Sequence, residues 1–199
     1  MSKAYDRVEW KFLHSMMSKM GFDEGWISLL MDCVFTVSYS VILNGSVGEI
    51  FHPTRGLRQG DPISPYLFLI CGEGLSSLLR QQPSVIGYKI ARGAPSVSHL
   101  FFADDSVIFG EASMRGASTL RDVLTEYEFC SGQCINYDKS GIFFSANVIE
   151  DTKQDVSRVL RIRNAINPEK YLGLPTVVGR NKKQAFLGLR DRILACINS

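Results

Sequence analysis

The sequence predicts an α+β fold in which an antiparallel sheet carries helices on one face. Two observations lead there. Apolar residues recur at helical spacing in several stretches, and between them lie short alternating runs bounded by turn residues. The two kinds of segment are interspersed along the chain, and no internal repeat or low-complexity tract interrupts them.

The elements follow in order. Val8, Phe12, Leu13, Met16, Met17 and Met20 mark a first helix that Gly21 closes. Asp6 suits its N-cap, with Glu9 three residues on completing a capping box. The methionines read as core filler. A second helix runs from about Asp23 through Trp26, Leu30 and Val34. "VSYSVILNGSVGEIFHP" alternates around Asn44-Gly45, a hairpin signal. "TRGLRQGDPISP" reads as loop, after which Ser64 is expected as N-cap and Pro65 in the first turn of a helix. That helix, "YLFLICGEGLSSLL", is apolar nearly all round and is expected to be buried. A strand near Gly87–Ile90 precedes a hairpin over about Ser98–Phe109. Ala117, Leu120, Val123, Leu124 and Tyr127 mark a further helix ending near Ser131-Gly132. Short strands are expected at Gly141–Ser145 and around Tyr171–Val178, and a basic helix from about Lys182.

The chain has 199 residues, 45% hydrophobic and 21% charged, a composition that can bury a core and is unlike that of a disordered segment. Residues 1–150 carry 12 basic and 16 acidic side chains, and residues 151–199 carry 10 and 4. The basic C-terminal quarter suits either a polyanion or a solvated helix face. Five cysteines without a CxxC pair argue against a zinc site or a disulfide framework and fit a reducing, intracellular compartment. No apolar run reaches the ~18 residues that span a bilayer, so no membrane partner is expected.

The unusual stretch is "HLFFADDSVIFG", His99–Gly110, where two carboxylates stand at a hairpin turn flanked by large apolar residues. Asp is a common turn residue, but long apolar flanks imply a hairpin seated in the core with a rigid tip. Fixed carboxylate pairs hold Mg²⁺, which keeps several waters and takes other ligands from substrate phosphates. Two such ions can stabilise both oxygens of an in-line displacement.

Phe102-Ala103-Asp104-Asp105 resembles the (F/Y)xDD motif of reverse transcriptases, in the FADD form of non-LTR (LINE-type) retrotransposons. Four further stretches are similar to family motifs in the family's order: "SKAYDRVEW" at Ser2–Trp10, "GLRQGDPISPYLF" at Gly56–Phe68, "INYDKS" at Ile135–Ser140 and "KYLGLP" at Lys170–Pro175. The resemblance implies a polymerase palm fragment over residues 1–150, with the primer-grip region and the start of a helical thumb over 151–199. It implies an RNA-directed DNA polymerase that adds dNTPs to a primer 3′-OH on an RNA template by a two-metal mechanism.

By the same resemblance, Asp104 and Asp105 form the metal site for Mg²⁺, with Mn²⁺ as a substitute. Tyr5 lies under the incoming sugar and rejects a 2′-OH. Gln59, Gly60, Phe102 and Ala103 line the nucleotide and template pocket. Lys139 neutralises the leaving pyrophosphate, and Tyr171, Leu172 and Gly173 hold the DNA primer. Arg180, Lys182, Lys183, Arg190 and Arg192 suit a template–primer backbone. A nuclear location follows from the family.

The family's first motif also carries an aspartate, on a palm strand, at the position just ahead of Met1. The expectation is therefore a chain truncated within that motif, lacking the fingers and one palm strand, and inactive by itself. The alternative is a non-catalytic nucleic-acid-binding or scaffold domain that keeps the fold. A metal-dependent nuclease has less support, because His14, His52 and His99 are scattered.

Overall fold

The computed structural model describes residues 1, 3–89, 91–162 and 186–197. The chain divides into two units, Met1–Asn136 and Tyr137–Ser199.

In the first unit a 3₁₀ turn, Tyr5–Arg7, leads to α1 (Trp10–Lys19) and α2 (Glu24–Phe35). The Asp23 carboxylate caps α2 by accepting from the Gly25 and Trp26 N–H groups, as its position predicts. Asp6 does not cap α1. Glu9 occupies that position with extended backbone and makes no side-chain cap bond. The Glu9 N–H, which an Asp6 cap would claim, instead donates to the Ser131 carbonyl at 2.9 Å.

The strands β1 (Ile42–Leu43) and β2 (Ser46–Val47) pair around Asn44-Gly45. Both turn residues have positive φ, 49° and 81°, as a tight two-residue hairpin turn requires. Next comes α3 (Ser64–Arg80), with Pro65 in its first turn. Ser64 is its first residue rather than its N-cap. The Asp61 carboxylate takes the capping role, accepting from the Ile63 N–H at 3.3 Å and the Ser64 hydroxyl at 3.1 Å. The expected full burial of α3 fails on one side, where Tyr66 and Leu69 are exposed.

The strands β3 (His99–Phe102) and β4 (Asp105–Ile108) form the acid-tipped hairpin, and α4 (Met114–Ser131) ends at Gly132 in the left-handed region. Near Gly87, the expected strand is a single bridge between Tyr88 and Val97. The two hairpins are separate two-stranded sheets among the described residues. Helices and small antiparallel sheets together make the fold α+β.

The core has two parts. Val8, Leu13, Met17, Ile27, Met31, Leu57, Leu67 and Cys71 join α1, α2 and the start of α3. Leu75, Leu79, Val123, Leu124 and Tyr127 join α3 to α4, and Phe101 and Ile108 of the hairpin pack on them. Burial pushes the Cys71 thiol up to about 12, so it stays protonated at neutral pH. Of the first helix's methionines Met17 is fully buried, whereas Met20 is exposed past the helix end.

In the second unit a 3₁₀ turn covers Tyr137–Lys139, followed by α5 (Glu150–Leu160) and α6 (Leu187–Ile197). Glu150 and Asp151 sit at the positive end of α5, and Val156 and Leu160 are its buried face. The expected strand around Tyr171–Val178 lies outside the described residues, as do Arg180, Lys182 and Lys183.

Candidate nucleotide site

The first two motif-bearing segments and the loop ahead of the fourth meet at the short turn Tyr5–Arg7. On one side stands the loop after β2. The Leu57 N–H donates to the Tyr5 carbonyl at 2.8 Å, and the Gly56 N–H to the Val8 carbonyl at 2.8 Å. Gly56 has φ +92°, and a Cβ there would stand 2.9 Å from the Asp6 carbonyl oxygen, so only glycine fits both the backbone and the gap. The Trp10 indole N–H adds a bond to the Gly56 carbonyl at 2.7 Å.

On the other side stands the segment Ser131–Cys134. Ser131 accepts from Glu9, the Gln133 side-chain amide donates to the Ala4 carbonyl at 2.7 Å, and the Arg7 guanidinium donates to Cys134 Sγ at 2.8 Å. Gly132 has φ +73°, and a Cβ there would collide with the Arg7 carbonyl and the Glu9 side chain. Between the two loops, the Tyr5 ring stacks on Phe68 with centroids 4.7 Å apart and planes within 10°.

A cleft of about 530 Å³ opens beside this turn. Asp6, Trp10, Tyr39, Phe51, Arg55, Arg58, Gln59 and Asp61 line it. The Tyr39 and Phe51 rings lie 5.8 Å apart across a β-bridge. Arg55 is held 3.4 Å from Glu9, while Arg58 has no carboxylate partner among the described residues. Aromatic faces beside guanidinium groups suit bases and phosphates. Gln59 borders this cleft, and Gly60 beside it is exposed at φ +84°.

The carboxylate pair stands at the tip of the β3–β4 hairpin. Phe102 pairs with Asp105, leaving Ala103 and Asp104 as the loop, and all four residues are exposed. Ala103 has φ +49°, an uncommon conformation for a residue with a Cβ, directly before Asp104. The Met1 amino group donates to the Asp104 carbonyl at 2.8 Å, which brings the start of the chain against the hairpin tip.

The hairpin is only half buried, contrary to the expectation of a core position. Phe101 and Ile108 face the helices, and alternation turns Leu100 and Phe102 outward. His99 anchors it, with Nε2 2.9 Å from the Ser76 hydroxyl on α3 and Nδ1 2.9 Å from the Ser98 hydroxyl. Burial, and then the Arg80 guanidinium, hold the His99 pKa below the usual 6.5, with Glu73 opposing.

Adjacent exposed carboxylates fit a hydrated Mg²⁺ that takes further ligands from water and phosphate, and do not make a closed protein cage. Among the described residues no group of three His, Cys, Asp or Glu side chains could hold a metal. Tyr5 and the Gln59 loop are thus brought together, and the chain start joins them to Asp104. Lys139 belongs to the second unit. Tyr171, Leu172 and Gly173 lie outside the described residues. Sequence reasoning missed Gln133, Trp10 and the cleft arginines, because long-range pairing leaves no local periodic mark.

A hairpin tipped with two carboxylates and a cleft of aromatic and cationic side chains, both within Met1–Asn136, are features of proteins that handle phosphate esters of bases. The chain belongs to the reverse transcriptase (RNA-dependent DNA polymerase) family, whose pattern it matches over residues 1–190. It is 32% identical over 138 residues to the Pol polyprotein of a type-2 R2 retrotransposable element of Drosophila melanogaster, covering 69% of this chain and 12% of that protein. It is 24% identical over 180 residues to an R2 Pol polyprotein of Popillia japonica, covering 86% and 29%. An uncharacterized mitochondrial protein of Arabidopsis thaliana is 47% identical over 68 residues, 33% of this chain and 56% of that protein. The chain therefore spans under two thirds of the length of each of these relatives. No helix among the described residues is long and apolar enough to cross a membrane.

Proposed function

We propose that this chain is the palm portion of an RNA-directed DNA polymerase of a non-LTR retroelement, residues 1–150, joined to the primer-grip region and the start of a thumb, residues 151–199. The observation that carries this reading is a pair of bonds, from the Leu57 N–H in the Gln59 loop to the Tyr5 carbonyl and from the Met1 amino group to the Asp104 carbonyl, which link three segments that resemble the family's motifs.

Asp104 and Asp105 would hold Mg²⁺, with Mn²⁺ able to replace it. When bound, the ion offsets charge on the triphosphate as the primer 3′-OH attacks. Tyr5, backed by Phe68, presents a ring edge under the sugar. Gln59, Gly60, Phe102 and Ala103 border the nucleotide and template, with Arg58 offering a cation to the strand backbone. Lys139 is assigned to the leaving pyrophosphate and Tyr171, Leu172 and Gly173 to the primer terminus on resemblance alone.

The family's first motif supplies one more aspartate just ahead of the residues matched by Met1–Asp6. Because the Met1 amino group contacts Asp104, an aspartate joined there would abut the pair. Without that aspartate, the Asp104–Asp105 pair should support substrate binding and not primer extension.

The test is binding of an RNA template–DNA primer duplex with a dideoxy end. The correct next dNTP with Mg²⁺ should tighten the complex, the wrong dNTP should not, and Asp104→Ala should abolish the difference. Affinity that falls with salt and ignores both metal and nucleotide would instead establish a non-catalytic nucleic-acid-binding domain.

A further inference from the structure

We propose that Gln133 is a positioning residue for sugar selection, holding the peptide that carries Tyr5. The inference rests on Tyr5 facing the nucleotide sugar and adds the residue that fixes its placement. Gln133 is fully buried, and its amide donates to the Ala4 carbonyl across 129 residues of sequence. Its other polar atom, Oε1, is also buried and has no partner among the described residues.

A buried unpaired carbonyl oxygen destabilises the fold, so this amide is an expensive way to fill space. Methionine occupies a similar volume without that orphan, and the Ala4 carbonyl would keep the bond it accepts as N-cap of the Tyr5–Arg7 3₁₀ turn. Stability alone therefore favours methionine. What the amide supplies and methionine does not is a second, side-chain bond on that carbonyl, which sets the tilt of the peptide from which Tyr5 departs.

Beyond that peptide the turn is held by Leu57 and Gly56 on one side and by Ser131 and Gly132 on the other. The Tyr5 ring stacks flat on Phe68. Loss of the Gln133 bond leaves the Ala4 carbonyl on its 3₁₀ bond alone, which lets the ring tilt along Phe68 while the loops stay clamped. A displaced ring stops colliding with a 2′-OH but leaves the base and triphosphate contacts in place. The effect belongs in discrimination between dNTP and NTP, not in affinity for the dNTP.

The experiment is equilibrium binding of dGTP and GTP, with Mg²⁺, to the full chain on a dideoxy-ended template–primer that calls for G. Wild type, Gln133→Met, Gln133→Leu and Tyr5→Ala are compared, with thermal melting recorded for each. The leucine also lacks a donor and is shorter, so it serves if the methionine variant does not fold. The wild type should prefer dGTP. Both Gln133 variants should lose about tenfold of that preference, equivalent to about 1.4 kcal/mol, and approach Tyr5→Ala with dGTP affinity nearly unchanged. A preference equal to the wild type's in a folded Gln133 variant would overturn the inference and leave Gln133 a packing residue. A wild type that binds neither nucleotide would overturn the nucleotide site itself, and this inference with it.

Discussion

At the scale of single residues, His99 shows how a side chain remote from the acids steadies them. It links β3 to Ser76 of α3 through one ring nitrogen and to Ser98 through the other. Its pKa lies below 6.5 in the folded chain, so between that lower value and 6.5 the unfolded chain binds a proton that the folded chain refuses. Stability should therefore fall as pH drops through 6.5 and level off below the folded value. Urea midpoints from about pH 8 to about pH 5 would measure this, and His99→Phe should flatten that part of the profile. An unchanged slope would show that His99 is not the group responsible. Residue-level features were legible where they are local. Asp23 caps α2 as its position predicts. Asp6 does not cap α1, although its spacing to Glu9 fits equally well, because Ser131 takes the Glu9 N–H from 122 positions away. The role of Gln133 depends on the same long-range clamp and left no signal in its own neighbourhood.

At the scale of elements, periodicity located most of the helices, missed α5 (Glu150–Leu160) and misjudged which faces are covered. The apolar runs flanking Asp104 and Asp105 suggested a hairpin inside the core. Strand alternation instead buries Phe101 and Ile108 and leaves Leu100 and Phe102 outside. In α3, Leu69 at 66% and Tyr66 at 69% exposure form a second uncovered strip on a helix that reads as wholly apolar. Composition reports that a residue prefers burial, and it cannot report whether a neighbour is present to bury it. Each strand of the hairpin has one partner among the described residues, so its outer edges resemble those that recruit other chains. Leu69→Gln combined with Leu100→Thr should reduce self-association in light scattering while leaving the melting temperature within a few degrees. Unaltered association would place the sticky surface elsewhere, with the exposed apolar residues Val41, Ile42 and Leu43 as the next candidates.

At the scale of the whole molecule, the order of motifs made the family legible. A family whose site draws on several chain segments leaves their order in the sequence. The structure adds the meeting of the first two motifs and the loop before the fourth at one turn, through bonds that no single motif predicts. Lys139 and the Tyr171–Gly173 segment stay proposals, since the first lies in the second unit and the other outside the described residues. The central claim is that Asp104 and Asp105 supply part of a polymerase metal site which one further aspartate, joined ahead of Met1, completes. Its most direct test is primer extension on an RNA template with Mg²⁺ or Mn²⁺. The 199-residue chain is compared with a chain extended by a strand ending in that aspartate, each with and without Asp104→Ala. The account predicts synthesis from the extended chain alone, abolished by Asp104→Ala. Synthesis by the 199-residue chain that is lost in its Asp104→Ala variant would contradict it, because some other carboxylate would then complete the site.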